Sequence, residues 1–221
     1  DERRTELVDS QDEILYEDLI ERHNCVITVS HAGYIKRQPA STYSAQRRGG
    51  KGIIGAGTKE EDFIENVIAV NSHSYLLMFT NTGKVQAKKA YYIPEAGRTA
   101  KGQNLVNILD LEEDEKITAC ISVDAFDDEH YLTMVTRRGV IKRTPLKEYE
   151  YQRKGGKIAL NLDEGDELLF VRCTTGDCEL LIATRNGQAV RFHEENARVM
   201  GRTARGVRGI SLRDGDEVVG V

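Results

Sequence analysis

The sequence has no tryptophan and only three prolines among its 221 residues. Hydrophobic residues make up 39% and charged residues 30%, which is typical of a globular protein and not of a disordered or fibrous one. No apolar run reaches the roughly 18 residues that a membrane-spanning helix needs, and no signal-peptide pattern opens the chain. We therefore expect a cytoplasmic protein that makes no membrane contact.

Patterns for metal binding and catalysis are also scarce. The four cysteines are scattered, and the single close pair, Cys173 and Cys178, has no second pair or nearby histidine to complete a zinc site. No G-x-x-x-x-G-K-[ST] phosphate loop follows a strand. The sequence therefore predicts reduced thiols, no metal ligands, no catalytic residues and no cofactor bound to this chain.

The net charge of −5 is unevenly distributed along the chain. Residues 1–22 contain nine acids and three bases and are interpreted as the end of a helix followed by an acidic linker, whereas residues 34–59 contain six bases and no acid. A phosphate responds to charge within a Debye length of about 8–10 Å. The overall negative charge therefore does not exclude a nucleic-acid partner.

A four-fold internal repeat begins after this linker. Short apolar runs rich in β-branched residues each lead into a glycine hairpin, and the hairpin glycines are spaced 50, 56 and 48 residues apart. A repeat of about 50 residues holding about four strands predicts an all-β, propeller-like ring, because one small sheet buries both faces only against its neighbours. The hairpin glycines are Gly33, Gly83, Gly139 and Gly187, in repeats at about 25–72, 73–122, 130–174 and 178–221.

Bases recur at two fixed offsets from these glycines. Basic residues occupy 31 of the 221 positions. The probability that all eight positions at these offsets are basic by chance is on the order of 10⁻⁷, without a correction for the choice of register. We interpret them as a curved basic track. Fifteen residues after the glycine stand Arg48, Arg98, Lys154 and Arg202, and eighteen after it stand Lys51, Lys101, Lys157 and Arg205.

Other bases follow the hairpins directly. They are predicted to join the same basic rim, and the alternative is that they only protect strand edges from aggregation. These residues are Lys36, Arg37, Lys142, Arg143 and Arg191.

The sharpest local signal is the segment Gln46-Arg47-Arg48-Gly49-Gly50-Lys51-Gly52, and a weaker copy occurs at Gln152-Arg153-Lys154-Gly155-Gly156-Lys157. Cationic side chains beside a glycine pair let charge and unobstructed backbone N–H groups face one anionic strand. Taken alone, such a segment is more often a solvated turn.

The segment 46–52 matches, residue for residue, the GyrA box that marks bacterial DNA gyrase A subunits, and the whole chain resembles their C-terminal domain. The resemblance implies a β-pinwheel, a propeller-like ring of strand-exchanged four-stranded blades. That family usually has six blades, whereas four repeats occur up to Val221. Whether the chain is truncated, or the ring open or short, is left undecided by the sequence.

The same resemblance implies that the domain wraps double-stranded DNA around a basic rim without reading its sequence, so that gyrase introduces negative supercoils. Its partners would be gyrase B and the rest of the gyrase A polypeptide, in an A2B2 enzyme acting on the nucleoid. ATP and Mg²⁺ would be used elsewhere in that enzyme. Two alternatives are the C-terminal DNA-capture domain of topoisomerase IV and a propeller-like protein-interaction scaffold.

Overall fold

The computed structural model describes residues 15–43, 62–150, 153 and 155–221, and within these ranges the regular structure is β-strand with short 3₁₀ turns. The turns are Tyr16–Leu19, Ala40–Thr42, Ala90–Tyr92, Leu105–Asn107, Leu146–Tyr149 and Glu194–Asn196. The strands are β1 (Asn24–Ser30), β2 (Tyr34–Pro39), β3 (Ile64–Asn71), β4 (Tyr75–Thr80), β5 (Lys84–Lys89), β6 (Gln103–Asn104), β7 (Ile117–Val123), β8 (Tyr131–Thr136), β9 (Val140–Pro145), β10 (Lys157–Ile158), β11 (Leu168–Thr174), β12 (Glu179–Thr184), β13 (Ala189–His193), β14 (Val207–Arg208) and β15 (Val218–Gly220).

These strands form four antiparallel sheets, one for each repeat. Three sheets have the strand orders β3-β1-β2-β6, β10-β5-β4-β7 and β11-β8-β9-β14, and the fourth, β13-β12-β15, has three strands among the described residues. In the first three sheets the outer strand (β6, β10 or β14) comes from the next repeat along the chain. Neighbouring blades therefore exchange strands, as the family resemblance implies, and the predicted fold class is confirmed.

The hairpin at the centre of each blade has the same local chemistry in all four repeats. Its glycine has a φ between +82° and +84°, in the left-handed region that favours glycine. The residue three positions before the glycine has a hydroxyl group, which accepts a hydrogen bond from the backbone N–H of the residue just after the glycine. In the second repeat, Lys84 N donates to Thr80 Oγ1 at 3.2 Å. The equivalent hydroxyls belong to Ser30, Thr136 and Thr184.

Hydrophobic cores lie between successive sheets, and this explains why the central strands have no simple alternation. In β4, Leu76 and Met78 pack toward the first sheet, whereas Leu77 and Phe79 pack toward the third. All four side chains are fully buried. By contrast β12, in the fourth sheet, alternates, and its Leu181 is 55% exposed. A blade with neighbours on both sides thus needs a strand that is apolar on both faces.

The part of the acidic linker that the structure describes packs on the second blade. Glu17 accepts from Lys89 Nζ at 3.0 Å and lies 3.1 Å from Nδ1 of His73, while the other ring nitrogen of His73 lies 2.8 Å from the carbonyl oxygen of Ile20. Only the 3₁₀ turn Tyr16–Leu19 is helical among residues 15–22, and the rest of the predicted helix end and linker, residues 1–14, lies outside the described residues.

Candidate nucleic-acid interface

The outer edge of each of the first three sheets is a donated strand, and in the first and third sheets the predicted basic positions come just before it. The loops at 97–102 and 201–206 share the sequence Gly-Arg-Thr-Ala and the same tight turn, in which the alanine N–H donates to the glycine carbonyl at 3.1 Å. Arg98, Lys101 and Arg205 are exposed, and Arg202 is half-buried. The two loops therefore present matching pairs of bases at equivalent places in the second and fourth repeats.

A glycine seats each loop against the preceding sheet. Gly102 has a φ of +89°, and a Cβ built there would collide with the carbonyl oxygen of Ile35. Gly206 has a φ of +96°, and its Cβ would lie 2.5 Å from the carbonyl oxygen of Ile141. Because both the backbone conformation and the contact exclude a side chain, glycine is required where the donated strand begins.

In the third and fourth repeats the fold brings predicted bases together. Arg202 Nη1 donates to the carbonyl of Ile158 at 2.7 Å, and Lys157 Nζ donates to the carbonyl of Glu148 at 3.2 Å. Burial, followed by the nearby positive charges of Arg202 and Arg153, lowers the pKa of Lys157. Arg153, Lys157 and Arg202 thus lie close together, and the carboxylates of Glu148 and Glu150 lie near them.

Two lysines predicted for the rim are in fact inside the protein. Lys36 is 1% exposed, and Lys142 is fully buried. Lys36 Nζ donates to the carbonyls of Gly97, Arg98 and Ala100, and Lys142 Nζ donates to those of Ala159, Gly201 and Arg202. Three acceptors use all three ammonium protons, so the prediction that these lysines touch DNA is wrong.

The arginine that follows each of these lysines is also held by the next repeat. Arg37 Nε donates to the carbonyl of Ile93 at 3.1 Å. Arg143 is 6% exposed, donates from Nε to the carbonyl of Ala197 at 3.0 Å, and lies 3.4 Å from the buried Glu194 carboxylate. Both arginines face protein acceptors, so their assignment to a DNA-binding rim is corrected to a role between blades.

The predicted register of the third repeat is also wrong by two residues. Its donated strand begins at Lys157, 18 residues after the hairpin glycine, whereas in the second and fourth repeats Gln103 and Val207 begin it 20 residues after theirs. Lys157 therefore corresponds to Gln103 and Val207, and not to Lys101. A shorter loop before the strand shifts the pattern, and gap-free counting could not detect this.

The remaining predicted positions are divided by the structure. Arg191 is exposed and pairs with Glu179 at 3.1 Å, and Arg205 pairs with Asp163. The segment Gln46–Gly52 and Lys154 lie outside the described residues, so their place in the DNA-binding site stays a prediction.

The acidic turns have a structural role that the sequence reasoning missed. Asp62, Asp166 and Asp216 each accept, through Oδ1, a hydrogen bond at 2.8–3.0 Å from the N–H preceding a hairpin glycine. In the second repeat Glu115 accepts from the Thr82 hydroxyl instead. An acid recurs two residues before the inner strand of each sheet (β3, β7, β11 or β15), and this recurrence was the available signal. These carboxylates lie on the inner-strand side of the hairpin, and the donated strand pairs on the other side.

Neither a metal site nor a membrane span is found within the described ranges. There, no group of three or more histidine, cysteine or acidic side chains could hold a metal ion, and no helix is long and apolar enough to cross a bilayer.

Successive sheets whose inner strands neighbour one another, and whose outer strand is donated by the next repeat, define a propeller-type domain with basic loops on its perimeter. The family model described as "DNA gyrase C-terminal domain, beta-propeller" matches residues 26–71, 74–124, 130–175 and 179–221. The chain belongs to this family.

Relatives and solved structures agree with this assignment. The DNA gyrase A protein of Halalkalibacterium halodurans is 53% identical over 96% of the chain, and that of Escherichia coli is 46% identical over 99%. The chain spans about a quarter of the length of these relatives. A C-terminal domain of DNA topoisomerase IV superposes with a TM-score of 0.75 at 31% identity, covering 91% of this chain and 61% of that one. A DNA gyrase A C-terminal domain gives 0.72 at 28%, covering 90% and 64%.

Proposed function

We propose that this chain binds duplex DNA through its phosphate backbone, without sequence specificity, and bends the duplex around the perimeter of the blades. The observation that carries the proposal is the recurrence of two basic side chains in equivalent loops, Arg98 with Lys101 and Arg202 with Arg205, of which all but the half-buried Arg202 are exposed. Bases placed by backbone geometry contact phosphates at regular intervals but carry no information about base identity.

Bending sets the energetic requirement for this activity. Curving 20–30 base pairs costs on the order of 1–6 kcal/mol, and repeated phosphate contacts must offset that cost. Equivalent loops in the second and fourth repeats supply such contacts at intervals, and Arg153, Lys157 and Arg202 place further basic side chains close together. Gln46–Gly52 would be a further contact in the first repeat.

The relatives are DNA gyrase A proteins, and this supports a place for the proposed binding in the gyrase reaction. In gyrase A, paired with gyrase B as A2B2, the wrapped duplex would return over the DNA gate, so that ATP-driven strand passage introduces negative supercoils. This chain would contribute binding and geometry in the bacterial cytoplasm, and the catalytic groups, ATP and Mg²⁺ would belong to other domains.

A second candidate is DNA capture of the kind implied for topoisomerase IV, because a C-terminal domain of that enzyme superposes well on this chain. The sequence relatives at 46–53% identity are gyrase A proteins. The two functions differ in whether the duplex is wrapped with a defined handedness. Ligation of nicked circular DNA in the presence of the chain should shift the linking number for gyrase-type wrapping, whereas binding without a shift would favour capture.

The binding site itself is tested by removing the loop bases. We expect R98A/K101A and R202A/R205A each to weaken binding to random-sequence duplex, measured by fluorescence anisotropy over a salt series. The slope of log K against log salt should fall by about 0.9 for each phosphate that is no longer bound.

The matched control is K116A/R213A, which removes the same charge from two exposed bases outside the perimeter loops. It should bind almost as the unmodified chain does. An equal loss of affinity in the control and the loop variants would show that only net charge matters and would contradict a perimeter site.

A further inference from the structure

Each of the two buried lysines binds backbone carbonyls of the next repeat. Lys36 Nζ donates to the carbonyls of Gly97, Arg98 and Ala100 at 3.0, 2.8 and 2.9 Å. All three acceptors belong to the loop that carries the exposed bases Arg98 and Lys101. The backbone of this loop therefore folds around an ammonium group supplied by the preceding blade.

The same arrangement recurs two repeats later. Lys142 Nζ donates to the carbonyls of Gly201 and Arg202, in the loop that carries Arg202 and Arg205, and takes Ala159 as its third acceptor at 2.6 Å. In both places the loop sequence is Gly-Arg-Thr-Ala. The ammonium group holds these carbonyls together by charge-assisted hydrogen bonds, so we expect the loop conformation to depend on the lysine.

The second repeat provides an internal comparison. Its equivalent position, also three residues after the hairpin glycine, is Gln86, which exchanges hydrogen bonds with the backbone of Asp110 through Nε2 to O at 2.8 Å and Oε1 to N at 3.2 Å. The loop that follows in the third repeat has no Gly-Arg-Thr-Ala sequence. Within this chain, lysine at this position and the Gly-Arg-Thr-Ala loop in the next repeat occur together.

We propose that Lys36 and Lys142 are positioning residues for DNA binding: each holds the phosphate-contacting loop of the next blade in its binding conformation without touching DNA. This inference rests on the proposed function. The DNA affinity contributed by one blade would then depend on a buried residue of the preceding blade. Adjacent blades would be coupled in DNA binding as well as joined by the exchange of strands.

The test combines Lys36→Met with the loop variant R98A/K101A in a double-mutant cycle. Methionine keeps an unbranched apolar chain but removes the ammonium group. We expect K36M to weaken binding to random-sequence duplex about tenfold and to lower the salt slope nearly as much as R98A/K101A does. Added to R98A/K101A, K36M should change the affinity less than twofold, because both changes remove the same phosphate contacts.

The control is Gln86→Met, which alters the equivalent buried side chain without touching a Gly-Arg-Thr-Ala loop, and it should bind DNA within about twofold of the unmodified chain. If K36M does not fold, Lys36→Gln replaces it, since glutamine stands at this position in the second repeat. The proposal would be overturned if the lysine variant bound DNA as tightly as Q86M does. It would also be overturned if the fold-losses of affinity caused by K36M and R98A/K101A multiplied in the combined variant. Failure of the unmodified chain to bind DNA would instead overturn the proposed function, and this inference with it.

Discussion

Replacing Glu194 by alanine removes a carboxylate on which three groups of the last two blades converge. Glu194 is fully buried and accepts from the Thr174 hydroxyl at 2.6 Å and the Cys178 N–H at 2.9 Å. It also lies 3.4 Å from Nη1 of Arg143. Burial would raise the pKa of Glu194, but the hydrogen bonds from Thr174 and Cys178, with the charge of Arg143, hold it below the usual value.

The expected loss of stability follows from the groups that would lose their partner in the alanine variant. Arg143 is only 6% exposed, so its guanidinium would be a buried charge without its carboxylate. Breaking a buried pair in this way typically destabilises by about 3–5 kcal/mol. For a chain of this length that corresponds to a fall in melting temperature of roughly 6–20 °C. Glu194→Gln keeps an acceptor oxygen but loses the charge, and we expect about half that loss.

Urea unfolding, followed by far-ultraviolet circular dichroism, measures these differences. The double variant R143M/E194M should be more stable than E194A, because removing both charges leaves neither of them buried alone. A loss below about 1 kcal/mol for E194A, or a double variant less stable than E194A, would refute the argument that Arg143 and Glu194 form a structural pair between blades.

Two further predictions concern the buried lysines and the donated strands. Burial lowers the pKa of Lys142 from 10.5 to about 8. Between about pH 8 and 10 the unfolded chain therefore binds more protons than the folded chain, and the free energy of unfolding should rise with pH, relative to that of the Lys142→Met variant. Parallel urea titrations of the two proteins that show no such difference would contradict this prediction. Gly102→Ala should destabilise the fold by more than about 2 kcal/mol, since the new Cβ would collide with the Ile35 carbonyl. Gly33→Ala should destabilise it by only about 1 kcal/mol, because Gly33 has a similar φ of +83° but no atom within 4 Å of the new Cβ. Equal losses of stability in thermal melts would show that backbone conformation alone matters.

Local chemistry made the fold predictable from sequence. Each repeat has a hairpin glycine, a hydroxyl three residues before it and an apolar run. These features interact over about ten residues of chain, so they recur visibly in every repeat. The run at 75–80 is apolar on both faces because the second blade has a neighbour on each side. Repeat number, all-β class and propeller type followed from these features together with the resemblance carried by residues 46–52.

The fate of individual bases was decided only by the tertiary structure. Lys36 and Arg98 are both basic and look equivalent in a sequence, yet one is buried and the other exposed. The difference arises because the loop that surrounds the Lys36 ammonium comes from the next repeat, with Gly97 61 positions further along the chain. The Lys36 ammonium group has three acceptors, and the exchange of strands between blades brings all three carbonyls to it from the next repeat.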